Sequence, residues 1–172
     1  MEQVEVDGPC LVVTVGPAAS GKSTLLRQLL QDGVLDEVVS TDAIRAELDL
    51  PAAETARTYA TARRRVRALL GAGRVVAVDA TNVRTQDRLM WQSLATRVGA
   101  RAIALRVGLG LDLDDLVERD AGRDRHVPVD AIAQQLRLAT TSQPDVLEVE
   151  GFSVIDPTSV ALVRRVPAAA ST

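Results

Sequence analysis

The strongest chemical signal in the sequence is the octapeptide GPAASGKS at residues 16–23. The pattern Gly-x-x-x-x-Gly-Lys-Ser, between an apolar run and a helical pattern, is that of a phosphate-binding loop, or P-loop. In such a loop, backbone amides surround phosphate oxygens, the lysine reaches the β and γ phosphates, and the serine hydroxyl binds Mg²⁺. We therefore predict a nucleoside triphosphate site that uses ATP and Mg²⁺. The residues expected to hold the nucleotide are Gly16, Ala19, Ser20, Gly21, Lys22, Ser23 and Thr24.

Lys22 is the only lysine of the chain, and all the other Lys+Arg side chains are arginines. Arginine presents a planar fork, whereas lysine presents a compact charge on a flexible stem, so the two do not replace each other at a phosphate. The single lysine therefore supports a catalytic role for Lys22. The alternative interpretation of residues 16–23 is a glycine-rich turn without function.

A second block, STDAIR at residues 40–45, follows the short strand predicted at 37–40. Asp42 and Arg45 are three positions apart, so in a helix both side chains emerge from one face of the first turn. A carboxylate at the end of a parallel strand can accept the proton of an attacking hydroxyl. The arginine can hold an anionic acceptor. We predict that both residues are catalytic; the alternative is a helix-capping aspartate beside a solvated arginine.

The segment VVAVDATN at residues 75–82 predicts a buried strand that delivers Asp79 to the same edge of the sheet. An aspartate there resembles a Walker B carboxylate, which acts on Mg²⁺ or on its water ligands. Ser23 and Asp79 are therefore the predicted metal residues. Thr81 and Asn82 are expected as polar groups beside the acceptor. The alternative is a strand-ending turn, because Asp and Asn are frequent in turns.

Three arginines, Arg119, Arg123 and Arg125, occur in the polar stretch ERDAGRDRH at residues 118–126, ahead of a proline. Proline is tolerated in the first turn of a helix, so a new helix is predicted to begin there. Guanidinium groups in such a loop can neutralise charge that develops on a transferred phosphoryl group. We predict a lid at about residues 119–128; a salt-bridged surface loop is the alternative.

Apolar runs that alternate with helical patterns predict an α/β fold. We expect a P-loop NTPase with a five-stranded parallel sheet flanked by helices and an arginine-bearing lid. The predicted strands are 10–15, 37–40, 74–79, 100–107 and 152–156. The predicted helices are 22–30, one after residue 42, 53–70, 85–98, 113–119, one from residue 128 and a short one after residue 157. Residues 1–172 are expected to form one domain with a frayed tail at about 167–172.

Composition restricts the class of protein. Apolar residues make up 47% and aromatic residues 2% of the chain, which predicts an aliphatic core. No apolar run reaches the roughly 18 residues that a membrane span needs, and the acidic N-terminus is unlike a signal peptide. The single cysteine, Cys10, is expected as a small buried strand residue and suits a reducing cytoplasm. We therefore expect a cytoplasmic protein without membrane association.

Charge is distributed unevenly along the chain. The net charge is −3, yet residues 55–111 contain 11 arginines and only two acidic residues. The remainder holds nine basic and 21 acidic residues. Such asymmetry predicts a cationic face that suits a polyanionic ligand. The alternative is that these arginines are scattered over exposed helices.

Taken in order, these blocks resemble the 5′-hydroxyl polynucleotide kinase family, and most closely the kinase domain of bacterial polynucleotide kinase-phosphatases of RNA repair. The segments that carry the resemblance are LVVTVGPAASGKST, STDAIR, VVAVDATNV, ERDAGRDRHV and GFSVID, and from the first to the last of them the resemblance extends over nearly the whole chain. P-loop and DATN motifs occur in many small kinases. The Ser/Thr-Asp-x-x-Arg block discriminates better.

The resemblance implies transfer of the γ-phosphate of ATP, with Mg²⁺, to a 5′-OH end of RNA or DNA. Asp42 would be the general base on this hydroxyl, and Arg45 would engage a phosphate of the acceptor. Asp156 and Pro157 would lie near the adenine. Multidomain relatives carry phosphatase or ligase modules, so fusion to or association with other repair domains is a further expectation.

The resemblance also implies that Arg125 contacts the ATP phosphates, with Arg119 as a second lid contact. The lid is one residue shorter between Arg123 and Arg125 than in the family pattern. The sequence therefore does not decide which of these three arginines contacts the transferred phosphate.

Two other functions are compatible with the sequence. One is phosphorylation of a small-molecule hydroxyl on a sugar, antibiotic or nucleotide, and the other is a nucleotide-binding switch. A small-molecule kinase needs a closed acceptor pocket, whereas a polynucleotide needs an open cationic groove. The arginine excess in residues 55–111 favours the groove.

Overall fold

The computed structural model describes residues 2–165, and the frayed tail expected at about 167–172 lies outside this range. The strands are β1 (Glu2–Val6), β2 (Cys10–Val15), β3 (Glu37–Ser40), β4 (Val75–Asp79), β5 (Arg101–Arg106), β6 (Ser153–Ile155) and β7 (Val160–Arg164). The helices are α1 (Lys22–Gln31), α2 (Thr41–Glu47), α3 (Thr55–Gly71), α4 (Thr85–Arg97), α5 (Leu113–Ala121), α6 (Val129–Thr141) and α7 (Pro144–Val149).

Five strands form a parallel sheet in the order β3-β4-β2-β5-β6. Strand β2 lies at the centre, where Cys10 is opposite Val75 on one side and Arg101 on the other. Every residue of β2 is buried, because helices cover both faces of the sheet. The predicted α/β fold with a five-stranded parallel sheet is confirmed. Its parallel strands all end at one edge, where the predicted functional residues lie.

The core divides into two main layers, one on each face of the sheet. One layer packs α3, α4 and α7 against the sheet around Trp91, and the other includes Leu26 of α1. Valine, leucine and alanine dominate both layers, as the low aromatic content predicts. Within residues 2–165, no helix combines the length and the apolar character that a bilayer crossing requires.

The two ends of the described chain pair with each other, which the sequence analysis did not predict. Strands β1 and β7 form a separate parallel pair with Val4 opposite Leu162. The short helix predicted after residue 157 is wrong. Instead, the Asp156 carboxylate accepts hydrogen bonds from the backbone N–H (2.9 Å) and hydroxyl (2.7 Å) of Thr158, and this turn leads into β7. A local pattern could not reveal a partner strand at the other end of the chain.

Arg88 is a buried structural cation that the sequence analysis also missed. Its guanidinium forms a bidentate ion pair with Glu150, with both N–O distances at 2.7 Å. Its Nη1 also donates to the carbonyl oxygens of Asn82 and Val83 and to Ser142 Oγ. These contacts join α4 to the segment that follows β4 and to the α6–α7 region.

The substitution Arg88→Ala is expected to lower the free energy of unfolding by about 3–5 kcal/mol, because Glu150 would stay buried without its partner. Urea denaturation followed by circular dichroism measures this loss. The double variant Arg88→Leu/Glu150→Leu should recover much of it, since neither charge then stays unpaired. The exposed Arg97→Ala is the control. A loss below about 1 kcal/mol for Arg88→Ala would contradict the structural role.

Cys10 is fully buried at the start of β2, and burial raises the pKa of its thiol to about 11. The thiolate is the reactive form, so the native protein should not react with Ellman's reagent at pH 8. The urea-unfolded chain should react rapidly. Because the folded pKa exceeds the unfolded value, this thiol contributes stability that is complete below about pH 9 and is lost as the pH rises through 11. Equal rates in native and unfolded protein would contradict the prediction.

Candidate active site

The P-loop lies between the end of β2 and the first turn of α1. Gly16 N–H donates to the Thr81 carbonyl (3.0 Å), and a Cβ at Gly16 would lie 2.2 Å from the Val107 carbonyl oxygen. Only glycine therefore allows this close approach. Gly21 has a φ of 97°, in the left-handed region that glycine adopts without strain. Both P-loop glycines are thus required by the backbone geometry.

Lys22 is buried at the base of the loop, where its Nζ donates to the Pro17 carbonyl and to Ser20 Oγ (3.3 Å). Burial lowers the pKa of Lys22 to about 8. The carboxylates of Asp79 and Asp42 oppose this shift, and the Arg123 guanidinium adds to it. The charges of three other segments therefore act on one ammonium group.

A cavity of about 1000 Å³ connects these segments at the carboxyl edge of the sheet. Eleven of the predicted site residues line it: Ala19, Gly21, Lys22, Ser23, Thr24, Asp42, Arg45, Asp79, Arg119, Arg123 and Arg125. Gly16 and Ser20 are buried within the P-loop itself. Asp156 and Pro157 lie outside the lining, so their placement near adenine stays a prediction.

Asp42 is held between two arginines. Its Oδ1 accepts from Arg45 Nη1 at 3.1 Å and from Arg125 Nη1 at 3.3 Å. The N-cap of α2 is Ser40, whose hydroxyl accepts from the Ala43 N–H at 3.2 Å. The alternative interpretation of Asp42 as the helix cap is therefore wrong, because the serine two residues ahead of it already fills the capping position. The Asp42 carboxylate is 58% exposed and faces the cavity.

Arg45 is mostly buried, with 16% of its side chain exposed, so it is not the solvated arginine of the alternative interpretation. Its Nε is buried and, within residues 2–165, makes no hydrogen bond. An unsatisfied buried donor is costly, and a charged one especially so. The cavity wall therefore contains a cationic group, one donor of which is buried and unsatisfied.

The polar residues at the end of β4 and just after it divide into two groups, one in the cavity wall and one in the core. Asp79 and Thr81 line the cavity. Asn82, expected beside the acceptor, is instead fully buried and structural. Its Nδ2 donates to the Thr14 carbonyl (2.8 Å), and its Oδ1 accepts from Trp91 Nε1 (3.1 Å). The amide therefore satisfies two buried polar groups of the core.

The lid is organised by the buried Asp120. Its carboxylate accepts from Arg123 Nη1 (3.2 Å) and from the Val127 N–H (2.9 Å). The salt-bridged alternative is thus realised within the loop at Arg123. Arg119 and Arg125 are exposed in the cavity wall, where Arg125 pairs with Asp42 of α2. The interleaved acids in the sequence hinted at such pairing, but only the structure shows that Asp120 is buried.

Two further cavity residues were not foreseen. Gln135 of α6 accepts a hydrogen bond from the P-loop N–H of Ala18 through Oε1 at 2.8 Å, which ties α6 to the P-loop. Tyr59 of α3 lines the cavity and its ring lies 6.1 Å from that of Trp91. Burial raises the pKa of Tyr59 to about 12, so its hydroxyl is neutral at physiological pH. Neither residue belongs to a motif with a recognisable spacing.

The fold and the cavity together define the class: the chain has a P-loop kinase fold, with a phosphate-binding loop on one side of the cavity and an arginine-bearing lid on the other. The chain belongs to the AAA domain family AAA_33, whose sequence profile matches residues 11–142. No curated protein sequence matches the chain.

Solved structures of several P-loop kinases are similar to this chain. A chain of the Pnkp1/Rnl/Hen1 RNA repair complex is 21% identical with a TM-score of 0.68, covering 81% of this chain and 47% of that one. A gluconokinase from Sinorhizobium meliloti 1021 is 18% identical (TM-score 0.54; 86% and 82% covered). The Mycobacterium tuberculosis APS kinase CysC, in complex with AMPPNP and APS, is 24% identical (0.51; 67% and 70%). The chain spans about half the length of the RNA repair protein.

Proposed function

We propose that this protein is an ATP- and Mg²⁺-dependent kinase that transfers the γ-phosphate to a 5′-OH end of RNA or DNA. The observation that carries the proposal is the convergence of Asp42, Arg45 and Arg125 in the cavity that also contains Lys22. One side of this cavity suits a triphosphate. The other side offers a carboxylate, which can take the proton of a hydroxyl, and a guanidinium, which can bind a phosphate. A strand with a free 5′-OH and a phosphate backbone presents both of these groups. A nucleotide-binding switch needs only the first side.

The donor side fits ATP and Mg²⁺. The Ser23 hydroxyl and the Asp79 carboxylate line the cavity and are hard oxygen donors, which Mg²⁺ prefers together with phosphate and water. When bound, the ion neutralises charge on the β and γ phosphates. Lys22 provides a positive charge at the base of the loop, and the P-loop amides orient the triphosphate.

The acceptor side provides a base and an anchor. The 5′-OH oxygen attacks the γ-phosphorus, and the Asp42 carboxylate accepts the proton of this hydroxyl. The bond between the γ-phosphorus and the β,γ-bridging oxygen breaks, which releases ADP. The Arg45 guanidinium lines the cavity beside Asp42 and is the proposed anchor for a phosphate of the acceptor. Arg125 reaches Asp42 from the lid, so it is placed to stabilise charge on the transferred phosphoryl group.

A second candidate is a small-molecule kinase, which the fold similarity to a gluconokinase and to an APS kinase supports. The polynucleotide acceptor is favoured by the arginine excess in residues 55–111 and by the similarity to a chain of an RNA repair complex. The latter similarity also supports an association with repair partners.

The lid arginines are expected to differ in their effect. Arg125→Gln should lower kcat by about 10²–10³-fold, because it removes the arginine that reaches Asp42. Arg123→Gln should cost less, since Asp120 already holds Arg123. Arg119→Gln serves as the comparison on the same lid. Steady-state kinetics at saturating ATP rank the three variants, and a larger loss for Arg119→Gln or Arg123→Gln would contradict the assignment.

Transfer of label from [γ-³²P]ATP in the presence of Mg²⁺ tests the proposed function. The acceptors are 5′-OH RNA, 5′-OH DNA, matched 5′-phosphorylated strands, gluconate and APS. We expect label only at 5′-OH ends, and none with the Asp42→Ala variant. Transfer to gluconate or APS alone would support the small-molecule kinase. ATP binding without transfer to any acceptor would support the switch.

A further inference from the structure

Helix α3 carries an unusual concentration of positive charge. It contains five arginines and no acidic residue in 17 positions. Arg65 is paired with Glu47 of α2 at 2.6 Å. The other four arginines are exposed, and within residues 2–165 none of them forms an ion pair. We call these four the α3 arginine face: Arg57, Arg63, Arg64 and Arg67.

The helical repeat places these side chains on the outer side of α3. Thr58, Ala62 and Val66 are buried at i, i+4 and i+8 and define the inner side. Arg57, Arg64 and Arg67 are related by steps of seven and three residues, so they follow one outward stripe, with Arg63 beside them. The stripe extends over about 15 Å, which is the length of several successive phosphates at about 3.4 Å per nucleotide of a stacked strand.

This charge pattern opposes helix stability. Arg63 and Arg67 are four residues apart and Arg64 and Arg67 are three apart, and like charges at these spacings destabilise a helix. The first turn of α3 contains Arg57, which the helix dipole disfavours, although the N-cap residue ahead of it is acidic, Glu54. An anionic partner along this face would relieve both effects.

Helix α3, which carries the arginine face, also borders the acceptor side of the cavity. Tyr59, in the second turn of α3, and Ala52, just ahead of the helix, both line the cavity. Helix α2, which carries Arg45, packs against α3. From the cavity, α3 runs toward the amino-terminal edge of the sheet, where it leads into β4. A chain that leaves the acceptor side can therefore follow α3 outward.

We propose that the α3 arginine face binds backbone phosphates of the acceptor strand beyond its 5′-terminal nucleotide. The inference rests on the proposed function and extends it: the terminal nucleotide is held in the cavity, and the following single strand lies along α3. Phosphate contacts of this kind carry no sequence information, so the face increases affinity for longer strands of any sequence.

The test compares Arg63→Gln/Arg64→Gln/Arg67→Gln with a control variant, Arg27→Gln/Arg97→Gln/Arg137→Gln, which removes three exposed arginines from other helices. KM is measured for 5′-OH RNA of 2, 4, 8 and 16 nucleotides. For the wild type and the control variant, KM should fall as the strand lengthens. For the α3 variant, KM for the 16-mer should be about tenfold or more higher than for the wild type. Its kcat and its KM for the dinucleotide should change less than about twofold.

Binding gives a second readout that does not depend on catalysis. Fluorescence anisotropy with a labelled, 5′-phosphorylated 16-mer RNA is measured between 50 and 200 mM salt. Loss of three phosphate contacts should reduce the slope of log K against log salt by about 2 for the α3 variant. Circular dichroism should show an unchanged helix content, because the substituted side chains are exposed.

The outcomes separate the two hypotheses. A wild-type protein that phosphorylates no 5′-OH strand would refute the proposed function, and the anisotropy measurement would then still decide whether the α3 arginine face binds RNA. A wild-type protein that phosphorylates RNA, with an α3 variant that keeps the length dependence and the salt slope, would overturn the inference alone. In that case the face would serve a different anionic partner, such as an acidic protein surface.

Discussion

Replacing Asp42 by asparagine is expected to lower kcat by about 10²–10⁴-fold, the range for removal of a general base. Asparagine keeps the size of the side chain and can still accept a hydrogen bond from Arg45, so the local structure should persist. Its amide cannot take a proton from the attacking hydroxyl. The Kd for ATP should change little, because Asp42 lies on the acceptor side of the cavity. Steady-state kinetics and nucleotide titration of the same preparation measure the two quantities.

The matched control for this variant is Asp49→Asn, an exposed aspartate just after α2. Its kcat should equal that of the wild type within about twofold, because surface substitutions away from a site have small effects. An Asp42→Asn variant that retains a third or more of the wild-type kcat would show that Asp42 positions the acceptor without acting as its base.

The substitution Lys22→Met is expected to lower kcat by about 10²–10³-fold, because the transition state loses a fixed positive charge on the transferred phosphate. Lys22→Arg should not restore the activity. Lys22 is 7% exposed, and the larger planar guanidinium does not fit the position of a compact ammonium. Turnover with saturating Mg²⁺ and ATP measures both variants.

Stability separates a catalytic role of Lys22 from a structural one. Burial lowers the pKa of Lys22 to about 8, so the charged form is less favourable in the folded protein than in the unfolded chain. At pH 7, Lys22→Met should therefore leave the thermal midpoint unchanged or raise it while activity is lost. A large fall in the midpoint together with the loss of activity would contradict the catalytic interpretation.

Much of the fold could be predicted because its signals are local. The run at Cys10–Val15 predicts a strand buried on both faces, and the structure places it at the centre of the sheet. The P-loop spacing lies within eight residues, and Asp42 and Arg45 lie within one helical turn. The spacing predicts that these two side chains lie on one face of the helix, and in the structure they form an ion pair at 3.1 Å.

Contacts between distant segments could not be predicted in the same way. The pattern DATN suits an exposed turn as well as a buried one, and only the presence of Thr14 and Trp91 makes Asn82 a core residue. Nothing in the local sequence distinguishes Arg88 from the other arginines of the chain. Its burial depends on Glu150, which is 62 residues away. The pairing of β1 with β7 depends on two chain ends that meet in space.

The sequence by itself determined the P-loop, the parallel sheet and the residue types available at its carboxyl edge, since each depends on spacings of a few residues. Only the tertiary structure decided which of these groups meet. Arg125 contacts Asp42 across 83 residues, and Gln135 contacts Ala18 across 117. The physical reason is that a polar side chain reaches its final environment only when the segments that bury or pair it have packed together.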